Sequence, residues 1–324
     1  MRLLAAVVVP VLLAGVCVSA AHADRAYSPG AAVTAVDTAA YSVAAGVGWS
    51  ARACEGVVLW RPPLFTRYTF RVPGPCPQTS TGRGVSAVSV VSDRVVFLSY
   101  VGGNTREWRL WTVTPTARRP RLVRTASADA DQPSPIVLGN GGVWGVPYAV
   151  GRDVILLSAT GARALAWTAP APVVALAESN AMLAVGLADG SVVSLQESTG
   201  KQLATATFPA GHVRDVRPIT GGLVVQTTDG VTLQKGKIVR ELGVPPAARM
   251  IGYVDGWVGY VLHGQIRAYS WQKRQDVLIR DVGGDVLADF DANGLAWAAG
   301  GTLCWSTRSY VFSTTHPVAA GCGH

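Results

Sequence analysis

Charge is scarce in this 324-residue sequence: Asp, Glu, Lys and Arg together make up 15% of it, and histidine occurs five times. No CxxC pair and no His-rich cluster is present, which excludes the common cysteine–histidine metal centres. A G-x-S-x-G elbow and Asp-box hairpins are missing too. The histidines beyond residue 23 are His212, His263, His316 and His324, two of them close to the end, so spacing alone assembles no hydrolase triad. Helical periodicity is almost absent, which leaves β-structure as the way to bury a chain that is 49% hydrophobic.

What is present begins with "MRLLAAVVVPVLLAGVCVSAAHA". One positive residue (Arg2), an apolar stretch from Leu3 to Val18 and small residues at Ala21 and Ala23 form the pattern of a secretory signal peptide cleaved after Ala23. Pro10 and the processing signature argue against an uncleaved membrane anchor, and the residues before Cys17 lack the pattern used for lipid attachment. The expected domains are therefore a signal peptide over 1–23 and a single domain over 24–324 that is secreted and carries no integral membrane anchor. Export places Cys54, Cys76, Cys304 and Cys322 in an oxidising compartment. Four cysteines allow three connectivities. The short-range one, Cys54 with Cys76 and Cys304 with Cys322, is preferred because each second cysteine follows a turn-rich stretch; a loop of that size is worth about 3 kcal/mol.

The formal charge is +8, and losing Arg2 lowers it to +7. A weakly charged basic exported protein points to anionic envelope polymers or lipid surfaces. The sharpest basic run, "ARRPRLVR" (Arg118, Arg119, Arg121, Arg124), lacks aromatic interleaving and runs straight into "SADAD", so it reads as a solvated strand edge and not as a nucleic-acid patch.

From residue 85 onward, glycine-containing turns alternate with short apolar strands. "LADGSVVSLQESTGK" has turns at Asp189-Gly190 and Ser198–Gly200; further copies show Asn140-Gly141, Gly221-Gly222 with Asp229-Gly230, Asp255-Gly256 with His263-Gly264, and Asn293-Gly294 with Gly300-Gly301. Asn-Gly and Asp-Gly supply the positive φ angles of two-residue hairpins. The unit returns at about 35 to 48 residues, the period of four-stranded propeller blades. With 32–60 as a divergent first unit, starts fall near residues 32, 85, 134, 172, 213, 248 and 285. The fold expected is all-β, a seven-bladed β-propeller. Trp144, Trp257 and Trp297 each sit just after the first turn of their unit and are expected to pack between blades. The disulfides would join strand c to the segment after strand d in the first and last blades, where the ring closes.

"DGSVVSLQESTGKQLATATF" resembles the repeat of pyrroloquinoline-quinone-type propellers, and "AGHVRDVRPITGGLVVQTTDGVTL" is similar to a WD-repeat unit. The second resemblance implies that His212 and Asp229 join a buried hydrogen-bond network that stabilises their blade. The first raises an enzymatic alternative, a quinone and calcium held in a central funnel, although no vicinal cysteine pair is present to face such a cofactor. "DFDANG" (Asp289, Asp291, Asn293, Gly294) opens like a calcium loop but has Gly300 where a bidentate Glu belongs, so it reads as a hairpin turn.

Charged residues on innermost strands would line the channel, where each must be solvated, paired or used. These are Glu178, Arg214, Asp215, Arg217, Arg249 and Asp289, read as ligand candidates or as mutually paired ions. No catalytic residue, metal site or cofactor is assigned. The expectation is an exported, monomeric, non-catalytic binding or assembly module of the cell envelope or medium, with a protein or envelope-polymer partner and no nucleic acid. The alternative is an enzyme working in the funnel, a quinone-dependent dehydrogenase or a polysaccharide-cleaving enzyme.

Overall fold

In the computed structural model, residues 24–50, 54–76, 82–312 and 322 are described. The signal peptide expected over 1–23 lies outside them, as do His316 and His324. Seven four-stranded antiparallel sheets follow one another along the chain. Six are simple meanders over 33–71, 83–129, 136–168, 173–207, 213–242 and 249–281; the seventh is built from 287–307. Each sheet touches the next, and the first touches the seventh, so the sheets close into a ring. This is the seven-bladed β-propeller that the turn spacing predicts. The strands of a blade are called a to d from the central channel outward. The a–b and c–d connections form the upper face, and the b–c and d–a connections the lower.

Seven clusters of buried apolar side chains hold the ring together, one at each junction between neighbouring blades. Strands b and c are buried on both sides, as in Ser42–Val47 and Gly56–Arg61. That is why these strands read as runs of Val, Ala and Leu and not as alternations. Outer strands such as Arg121–Asp129 alternate exposed and half-buried residues, and the basic run lies on this solvated edge. Turn chemistry follows expectation at Asp255-Gly256, where both residues have positive φ (46° and 87°).

The last blade departs from the expected plan. Its outer strand is Arg25–Tyr27 from the start of the domain, paired antiparallel with Thr302–Thr307. After Thr307 the chain turns instead into a short helix, Arg308–Val311. Both expected disulfides form, Cys54–Cys76 and Cys304–Cys322. The first joins the lead-in to strand c with the segment after strand d. The second joins strand c to a segment that follows no strand d, because the N-terminal strand occupies that edge.

Candidate functional site

The channel is constricted at mid-depth by side chains from four blades. Asp37 and Arg217 occupy the fifth position of their seven-residue inner strands, Val33–Ala39 and Val213–Ile219. Blade 3 contributes differently. Its inner strand stops at Leu138, and Asn140 then pairs in parallel with blade 4, its N–H donating to Leu176 O and its carbonyl accepting from Glu178 N. The Asn140-Gly141 hairpin expected from the sequence is therefore a longer excursion over 139–144. Gly141 and Gly142 fit there because a Cβ would collide with Val90 and with Glu178.

From this position Asn140 Nδ2 donates to Asp37 Oδ1 (3.2 Å) and Asp289 Oδ1 (2.8 Å). Asp37 Oδ2 accepts from Val90 N (2.7 Å) and Asp289 Oδ2 from Thr38 N (3.0 Å). Arg217 Nη2 lies 3.9 Å from Asp289 Oδ1, and its Nη1 donates to Asp215 Oδ1 at 2.8 Å. Burial, then the neighbouring Asp289 charge, raises the Asp37 carboxyl well above its usual range. Burial likewise pushes Asp289 up to about 7, against the pull of Arg217.

The constriction separates two funnels of about 540 Å³ each, both lined by Asn140, Arg217 and Asp289. Glu178 lies in the upper funnel wall, whereas Arg214, Asp215 and Arg249 line the lower one.

Glu178 does more than line the wall. Its Oε2 accepts from the backbone N–H of Trp144 (3.0 Å) and Gly145 (3.3 Å), anchoring the 139–144 excursion. Its partner is Glu197, from the c–d turn of the same blade, which burial and then the Glu178 charge push up to about 8. Two buried carboxyls in contact hold a proton that the unfolded chain releases near its ordinary pKa. The native state then binds more protons than the unfolded one from about pH 4.5 to 8, so stability falls as pH rises through that window. Asp37 and Asp289 act with the same sign. The thermal midpoint, followed by circular dichroism, should drop between about pH 5 and 8.5, and Glu197→Gln should flatten the slope and raise the midpoint at the alkaline end. An unchanged slope in that variant would remove Glu197 as a cause.

Elsewhere, His212 Nδ1 lies 2.8 Å from Asp229 Oδ2 and 2.8 Å from Thr228 Oγ1. The two side chains are 37% and 70% exposed, so this is a surface contact on the lower face and not the buried network that the WD resemblance implies. In "DFDANG", Asp291 Oδ1 accepts from the N–H of Asn293 (2.8 Å) and Gly294 (2.9 Å), closing the turn on itself. Trp297 is fully buried between blades, Trp257 is half-buried against Phe312, and Trp144 corrects the packing expectation: it is 59% exposed, carried out of the sheet by the 139–144 excursion.

Sequence reasoning passed over Asp37, Asn140 as a channel group and Glu197. Asp37 had a readable signal, an acid at the Arg217-equivalent place in the otherwise uncharged strand "VTAVDTA". Glu197 sat inside a turn motif, "QESTGK", where an acid attracts no notice.

No family model matches the chain, and no curated protein matches it in sequence. Among solved structures it is similar to a chain of the mitotic checkpoint complex, at 12% identity and a TM-score of 0.55, over 87% of this chain and 94% of that one. It is also similar to the computationally designed Ika8 protein, at 16% identity and a TM-score of 0.49, over 86% of this chain and 97% of that one. At 12% identity the first is a likeness of fold.

Proposed function

We propose that the protein is an exported, non-catalytic binding or assembly module of the cell envelope or medium, and that it meets an acidic protein or envelope polymer with its upper face. The observation that carries this reading is a division of charge between the two faces. Upper loops expose Arg118, Arg119, Lys201, Lys237, Lys273 and Arg274. The exposed acids there, Asp93 and Asp255, are each met by an arginine, Arg61 and Arg308. Lower loops expose Asp131, Asp189, Asp229 and Asp285 against one exposed arginine among the described residues, Arg152.

Large apolar side chains stand out on the same upper face: Leu64 (64% exposed), Phe65 (76%), Val143 (67%) and Trp144 (59%). Aromatic anchors amid complementary charge suit a recognition surface. Two upper turns also hold non-glycine pairs at positive φ, Ala40–Tyr41 and Asn180–Ala181, a strain that helps carry Tyr41 to the rim. The acids and arginine at the constriction satisfy one another and the backbone, which speaks against a free general acid or base.

The test compares binding of the purified protein to the envelope fraction of cells that secrete it. Reversing Arg118, Arg119, Lys273 and Arg274 to Glu, or replacing Trp144 with Ser, should weaken retention by about tenfold or more, with strong salt dependence in the wild type. Reversing Asp131 and Asp285 to Lys should leave retention intact. The opposite pattern, or turnover of a substrate by the wild type, overturns the reading.

A further inference from the structure

We propose that the lower funnel is a binding site for a small organic anion, with a carboxylate or phosphate group seated between Arg214 and Arg249 and an uncharged body lying against the opposite wall. The site is distinct from the upper face and does not depend on how that face is used.

In a regular strand successive side chains point to opposite faces, so Arg214 and Asp215 should not share a cavity. A register shift between Val213 and Asp215 breaks the alternation, and Arg214, Asp215 and Arg217 all line the lower funnel. The same shift recurs near the start of four other inner strands, so the ring itself supplies this placement and blade 5 is distinguished by carrying charged residues there. Arg249 joins them as the first residue of the neighbouring inner strand, Arg249–Val254.

Three arginines meet two acids in this funnel, and both acids are engaged: Asp215 accepts from Arg217 Nη1 and Val216 N, while Asp289 accepts from Asn140 and Thr38. Arg249 donates Nη2 to Val286 O at 2.7 Å, a neutral partner. Burial lowers its pKa, with Arg217 acting in the same direction and Asp215 and Asp289 pulling the other way. Among the described residues Arg214 makes no hydrogen bond or ion pair, and it is exposed to the funnel. Guanidinium groups with unused donors match the oxygens of carboxylates and phosphates.

Thr34, Ala35, Ser86, Ala87, Gly139 and Ala288 line the funnel from blades 1, 2, 3 and 7, a wall of small uncharged residues facing the arginines. The resulting space, about 540 Å³, falls within the range of small-molecule sites.

Calorimetric titration of the folded protein with citrate and with inorganic phosphate, against chloride as the control ion, tests the proposal. Saturable binding of at least one oxyanion at one site is expected, weakened about tenfold or more by Arg214→Ala and by Arg249→Ala, and partly restored in Arg214→Lys. Ser86→Trp, which fills the opposite wall from an exposed position, should abolish it while the thermal midpoint stays near that of the wild type. Lys201→Ala, on the upper face, should change nothing. Absence of saturable binding up to about 10 mM, or binding that survives Arg214→Ala or Ser86→Trp unchanged, overturns the proposal. Because Arg214→Ala leaves the upper face untouched, envelope retention in that variant separates failure here from failure of the binding-module reading.

Discussion

Replacing Trp297 with alanine will lower the unfolding free energy by about 3–5 kcal/mol, read as a fall in the midpoint of chemical denaturation with little change in slope. The residue is fully buried between blades 6 and 7, among Ile251, Ile266, Ile279 and Leu295. Its indole N–H donates to Cys322 O at 2.9 Å, so truncation leaves both a cavity and an orphaned carbonyl. That carbonyl belongs to the cysteine bonded to Cys304, whose own strand pairs Trp297 with Cys304. Trp144→Ala is the control, since an exposed side chain should cost within about 0.5 kcal/mol. Equal losses for the two tryptophans would show that burial is not what distinguishes them.

Arg280→Ala should be comparably damaging, by about 3–5 kcal/mol, because it breaks a buried ion pair from one side. Arg280 Nε and Nη2 donate to the two oxygens of Asp24, each at 3.1 Å, and both side chains are almost fully shielded from solvent. Asp24 immediately precedes Arg25–Tyr27, so the pair fastens the outer strand of blade 7 to the outer strand of blade 6. Removing the arginine strips the Asp24 carboxylate of these bonds while leaving its desolvation cost in place. The double change Asp24→Leu with Arg280→Met should recover most of the loss, as apolar replacement of a whole buried pair commonly does. Arg280 also lies over the Trp297 ring, 5.6 Å from its centroid. Its effect and that of Trp297→Ala should therefore combine non-additively, with a coupling of about 0.5–3 kcal/mol in a double-mutant cycle. Strict additivity would mean that the guanidinium and the indole do not support each other.

The architecture was legible because it rests on local chemistry repeated many times. Starts near 172, 213 and 248 fall within a residue of the observed inner strands Val173–Ser179, Val213–Ile219 and Arg249–Val254, each followed by a turn that demands positive φ. Disulfide pairing was legible for a similar reason, since short loops bounded by turns bring their ends together. What escaped notice was non-local. Arg25–Tyr27 is three residues, too short for an alternation to mark it as a strand, and its partner lies almost the whole chain away. The Asn140 excursion carries the same Asn-Gly signal as a true hairpin; only the neighbouring blade, through Leu176 and Glu178, draws it out of register. The division of charge between faces was equally hidden, because successive loops alternate faces and their charges are interleaved along the sequence.

The borrowed outer strand of the last blade also sets an order of events. The clasp cannot shut until the chain is complete through Thr307, so the earliest-made strand is the last to be seated. Until then Leu303, Cys304 and Trp305 present a bare sheet edge, the kind of template on which a second chain can add. Ring closure thus joins points some 280 residues apart, a late step of high contact order and the stage at which folding is most exposed to a competing chain.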